Sequence, residues 1–168
     1  MMNIEAYVKF SKPFIDSLKD TFKVMLSTEL NAHSPKMKTH NKAHGEITAM
    51  IGMTGTVEKN GTVQDFNGLI ALSFTKDVYL KIASAMLMQE FDDYHEDMED
   101  TGSEIANIVM GNAKKILATQ GYKIGMSTPT RIKGLNHEIK YPSNTTVIET
   151  SMSCPLGDFV FDICYREG

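Results

Sequence analysis

The chain lacks any apolar run near the roughly 18 residues needed to cross a bilayer. Its first ten residues, MMNIEAYVKF, include Glu5 and no hydrophobic leader core. These two absences predict a cytoplasmic protein. Cysteine is scarce as well: Cys154 and Cys164 are the only two, both in apolar, strand-like runs. A turn centred near Leu156 and Gly157 would set Cys154 opposite about residue 159, away from Cys164, so free buried thiols are expected rather than a disulfide. A basic excess is also missing. With 17 Lys and Arg against 21 Asp and Glu, the net charge of −4 argues against nucleic acid as the main partner. Glycine and proline are few, at 12 and 5, while 42% of the residues are hydrophobic and 23% charged. That balance excludes a disordered chain, and 168 residues are expected to form one domain, 1–168, with a real core.

Periodicity gives a coarse map. Phe14, Ile15, Leu18, Phe22, Met25 and Leu26 recur at helical spacing, and Pro13 suits a first turn, so a helix is expected from about Pro13 to Glu29. NAHSPKMKTHNKAHGE then reads as an exposed, flexible basic loop. ITAMIGMTGTVEKNG and TVQDFNGLIALSF read as strands joined at Asn60-Gly61, and TKDVYLKIASAMLMQEF as a helix capped by Thr75 or Asp77. After an acidic connection comes a second long helix, ending near the C-cap candidate Gly121. YKIGMSTPTRIKG, NTTVIETSMSC and DFVFDICYRE complete the chain as strands, with turns at Lys133-Gly134 and Leu156-Gly157. This order predicts an α+β fold, a mostly antiparallel sheet packed against long helices. FKVML and AKKIL, and NGLIALSF and LGDFVFDI, echo each other at offsets of about 91 and 89 residues, hinting at a repeated helix-plus-strands unit.

The segment DTGSEIANIVMGNAKKIL, Asp100 to Leu117, raises a specific question. At about 100° per residue, Ile105, Ile108, Val109, Ala113 and Ile116 share an apolar face with Asn112 among them. Glu104, Asn107, Gly111, Lys115 and Ala118 share the opposite face. Asn and Gly each cost about 0.5–1 kcal/mol relative to alanine in an exposed helix. Either something approaches this face closely, or the residues serve the fold. In the second reading Thr101 and Glu104 form a capping box and Gly111 permits close helix packing.

The spacing of Asp100, Glu104 and Asn107, followed by Pro129, resembles the signature of the CheC/CheX/FliY family of chemotaxis phosphatases. EIANIVMGNAKKIL is similar to that family's helix, and the resemblance extends through PFIDSLKDTFKVML, GLIALSF, STPTRIKGLNHEI and GDFVFDICY, nearest to the CheX branch. It implies a CheC-like pseudo-repeat. It also implies a single site, because Pro13 and Asp16 stand at the first-helix positions that would match Glu104 and Asn107. The implied reaction is hydrolysis of the aspartyl phosphate of a CheY-type response regulator. Asn107 would orient the attacking water, Glu104 would dock to a regulator lysine, and Asp100 and Gly111 would lie at the partner contact. The chain itself would bind no cofactor; Mg²⁺ would come with the regulator, and the family habit implies a homodimer. A module that binds the phosphorylated regulator without hydrolysing it, or that serves a pathway other than motility, is the alternative.

Two further clusters carry less. From Glu90 to Asp100 there are seven acidic residues and no Lys or Arg, without the glycine and spacing of a calcium loop, so a solvated connection is expected. His33, His40 and His44 lie among Lys36, Lys38 and Lys42 without metal-ligand spacing. The twelve methionines fit adaptable packing.

Overall fold

The structure, a computed structural model, describes residues 4–168; residues 1–3, part of the segment on which the leader reading rests, lie outside the described residues. The first helix, α1, spans Ile4–Leu26 and so begins well before Pro13, which lies inside it. Proline removes one N–H and one helical hydrogen bond. The turns before it persist because Tyr7 and Phe10 are buried, with the Phe10 ring 4.0 Å from that of Tyr165. Packing therefore overrides the boundary that Pro13 signals. At its other end the helix stops at Leu26, short of Glu29, with Ser27 at a φ of 49°.

The expected flexible loop is tied down along the sheet. It contains β1 (Asn31–Ala32) and β2 (Lys36–Met37), both paired with β7 (Val147–Cys154). Lys38, expected to be solvated, is buried instead, with its Nζ 2.6 Å from the Asp162 carboxylate. Tyr141 donates a second hydrogen bond to the same oxygen, Oδ2.

β3 (Ile47–Lys59) and β4 (Thr62–Phe74) form a long hairpin. Asn60 and Gly61 take φ of 53° and 78° there, the left-handed pair that a two-residue hairpin turn requires. α2 covers Lys76–Leu87, ending before Met88. Thr75 precedes it without a side-chain cap bond, and the Glu46 carboxylate, neither Thr75 nor Asp77, accepts the Lys76 N–H. α3 spans Thr101–Ala118, followed by β5 (Tyr122–Met126), β6 (Thr130–Lys133), β7 and β8 (Gly157–Glu167).

The strand order is β1-β7-β8-β4-β3-β5, with β2 on β7 and β6 on β3; every pairing is antiparallel. The paired central strands β4 and β8 bring Leu72 opposite Phe161. Those two residues are 89 apart, the offset of the echoed segments. α1 and α3 pack together over one sheet face. Phe14, Phe22, Val109, Phe159, Phe161, Ile51 and Leu72 fill the space between the layers.

The last hairpin turns on Pro155 and Leu156, one residue earlier than expected, so Cys154 pairs with Gly157 rather than with about residue 159. Cys164 faces Val147 further along. Both thiols are free, but only Cys164 is fully buried, and burial pushes its thiol up to about 11.

Candidate functional site

α3 presents two faces. Its buried face comprises Ile105, Ala106, Val109, Met110, Ala113 and Leu117. Ile116, expected among them, is 46% exposed, because the stripe is centred on Ala106 and Ala113, where small side chains allow close packing. Asn112 lies at the edge of this stripe, and its Nδ2 donates to Ser17 Oγ of α1 at 3.2 Å. Its place near the core is thus a helix-to-helix tie.

The start of the helix decides between the two readings of Glu104. Asp100 occupies the N-cap position, and Glu104 N–H donates to the Asp100 carbonyl at 2.8 Å. Thr101 is already inside the first turn, so the expected Thr101–Glu104 capping box does not form. The Tyr79 hydroxyl accepts the Gly102 N–H at 3.0 Å and donates to the Met98 carbonyl at 3.0 Å. Burial raises the Tyr79 hydroxyl above its ordinary range, so it keeps the proton that it donates. Gly102 sits in close quarters here: a Cβ would stand 3.2 Å from the Tyr79 ring and 3.3 Å from Ala49 Cβ.

The opposite face is free of such ties. The side chains of Glu104 and Asn107 are exposed and, among the described residues, make no hydrogen bond or ion pair. A methyl group on Gly111 would meet nothing within 4 Å, so internal helix packing does not require the glycine. The equivalent α1 positions offer nothing similar: Pro13 is buried, and Asp16 is paired with Lys12 at 2.8 Å.

The carboxylate of Asp100 turns away from the helix amides. Arg131 of β6 holds it at 3.1 Å and reaches Glu99 at 3.5 Å. Pro129 sits at the break between β5 and β6, immediately before the short strand that carries Arg131. A cavity of about 210 Å³ lies on the sheet side of the same helix end, against Tyr79, Tyr94, Met98 and Lys133. Neither Glu104 nor Asn107 lines it.

Sequence reasoning missed Tyr79 and Arg131. Arg131 lies within STPTRIKGLNHEI but was not singled out, and only the packing of α2 and β6 around the α3 start brings both residues there. In the acidic connection Asp93 pairs with Lys76 at 2.7 Å, and Glu96–Met98 form a single 3-10 turn. His33 bonds Ser153 at 2.9 Å and His40 accepts the Lys42 N–H. Among the described residues no three His, Cys, Asp or Glu side chains gather as a metal site. No described helix is long and apolar enough to cross a membrane.

Comparison with known proteins agrees with this geometry. A family model described as chemotaxis phosphatase CheX matches residues 47–153. A CheC-like superfamily protein from Shewanella sp. PV-4 is similar over 98% of this chain and 99% of its own, at 31% identity and a TM-score of 0.81. CheX of Vibrio vulnificus is similar over 94% and 99%, at 30% identity and a TM-score of 0.79. CheX of Borrelia burgdorferi, solved as a complex with CheY, BeF3 and Mg²⁺, shares the fold at 21% identity, covering 94% and 97% with a TM-score of 0.74. No curated protein matches the chain. The signature positions, the antiparallel fold and the family match converge: the chain belongs to the CheX family of chemotaxis phosphatases.

Proposed function

We propose that the chain, acting as one domain over residues 1–168 in the cytoplasm, hydrolyses the aspartyl phosphate of a CheY-type response regulator. The observation that carries this is the outward face of α3, where Glu104, Asn107 and Gly111 follow one another with no side-chain bond or packing contact among the described residues. Asn107 inserts beside the phosphoryl group, and its carboxamide oxygen accepts a hydrogen bond from one water, holding it in line for attack. The bond from phosphorus to the regulator's aspartate breaks as the bond to water forms, giving inorganic phosphate and a free carboxylate. A neutral carboxamide suffices because phosphoryl transfer depends chiefly on positioning and charge stabilisation. The regulator brings Mg²⁺, which supplies that charge stabilisation. Glu104 pairs with a lysine beside the regulator's phosphoaspartate and so sets where Asn107 lands. Gly111 lies at the closest approach of the two backbones. Asp100 stands at the rim of the contact, its charge shared with Arg131. Two chains form a homodimer in this reading.

Glu104→Lys tests the docking role. It should raise the Kd for the phosphorylated regulator about tenfold or more by reversing a charge contact, measured by titration. Unchanged binding would remove Glu104 from the interface. Gly111→Ala separates fold from function more sharply. It should stabilise the free chain by about 0.5–1 kcal/mol in thermal unfolding while weakening the complex. A variant that is stabilised and binds normally would show that no partner approaches there.

A further inference from the structure

We propose that Arg131 is a positioning residue for this reaction: by holding Glu99 and Asp100, it leaves Glu104 as the one unpaired carboxylate at the head of the α3 face. The inference rests on the reading of that face as the regulator-docking surface. Three carboxylates crowd this helix end. Asp100 and Glu104 are four residues apart, one above the other on the helix surface, and Glu99 adjoins Asp100. A cation arriving from a partner would be drawn to any of them. Arg131 reaches from β6 to Asp100 Oδ1 at 3.1 Å and Glu99 Oε2 at 3.5 Å, whereas Glu104 is left free. A carboxylate already occupied by a guanidinium attracts a second cation weakly. The partner's ammonium group therefore has one strong site, and that site fixes the placement of Asn107 one turn further along.

Glu99 and Asp100 are decoys once Arg131 is removed. A partner held through Asp100 would sit about one helical turn, roughly 5 Å, out of register. It would bind, but with Asn107 beside the wrong part of its pocket. In the acidic connection Lys76 likewise holds Asp93, at 2.7 Å.

The test measures binding and turnover together, using the full chain, a phosphorylated CheY-type regulator for turnover, and the regulator loaded with beryllium fluoride for affinity. Arg131→Ala should change the Kd less than about twofold and lower turnover at saturation about fivefold, the scale of one misdirected surface charge contact. Adding Glu99→Gln and Asp100→Asn to Arg131→Ala should raise turnover back to that of the Glu99→Gln, Asp100→Asn double variant, which a purely structural role for the arginine would not allow. Wild-type turnover by Arg131→Ala, or no rescue in the triple variant, would overturn this inference while leaving the phosphatase reading intact. A wild-type chain that binds the regulator without speeding phosphate loss would overturn both.

Discussion

Asn107→Ala is expected to lower the acceleration of regulator dephosphorylation by about 100-fold or more while leaving the complex largely intact. The size follows from what the side chain does in this account. It contributes neither a nucleophile nor a proton; it fixes one water, and losing alignment at a reacting centre costs about 10²-fold. The structure also makes the substitution clean. Asn107 is exposed and bonded to nothing among the described residues, so its removal leaves no buried group unpaired. Alanine favours helix over asparagine, so the folded chain should be no less stable. Single-turnover phosphate loss and a binding titration on the same preparation separate the two effects. Normal turnover by the variant would contradict the role of the carboxamide. Lost binding together with lost turnover would mean that Asn107 docks the partner rather than positions water.

Lys38→Met is expected to destabilise the chain by about 3–5 kcal/mol near neutral pH, the range for breaking a buried ion pair from one side. The side chains of Lys38 and Asp162 are 2% and 0% exposed, so water cannot replace the lost ammonium. Among the described residues Asp162 Oδ1 already has no hydrogen-bond partner. Burial pushes the Asp162 carboxyl above its ordinary range, against the downward pull of Lys38 and Tyr141. A carboxyl raised in the folded state contributes stability that is fully present below its unfolded pKa, about 3.9. That contribution is lost as pH rises through the folded value. Removing Lys38 takes away the leading downward influence, so the folded value rises further and the deficit should widen with pH. Unfolding free energies for Lys38→Met should therefore approach wild type in mildly acidic buffer and fall furthest below it above neutrality. Combining it with Asp162→Asn, which keeps an oxygen for Tyr141 to donate to, should recover much of the loss. An equal deficit across the pH range would show that packing of the lysine stem, not the ion pair, is what matters.

What the sequence made legible depended on how local the cause was. The Asn60-Gly61 hairpin, the strands on either side of it and the amphipathic character of α3 each follow from a few neighbouring residues. The echo at about 89 residues matches the separation of Leu72 and Phe161, which only the pairing of β4 with β8 shows to stand opposite each other. Features that depend on distant contacts were not legible. Pro13 looked like a helix start because nothing local tells that Tyr7 and Phe10 pack against the sheet beyond it. Lys38 looked solvated because Asp162, more than a hundred residues away, could not be paired with it. The site divides in the same way. Glu104, Asn107 and Gly111 share a face by helical arithmetic alone, but the failure of the capping box rests on Tyr79 and on the register of the first turn. Arg131 joins the helix start only through the pairing of β6 with β3.

The central claim, hydrolysis at the outward face of α3, is tested most directly by one time course. The purified chain is mixed with a phosphorylated CheY-type regulator and Mg²⁺, and phosphate loss is followed against the regulator alone. The account predicts loss at least about tenfold faster than spontaneous decay, equivalent to about 1.4 kcal/mol or more off the barrier. Decay at the spontaneous rate, with the complex demonstrably formed, would contradict it and leave a binding module in its place.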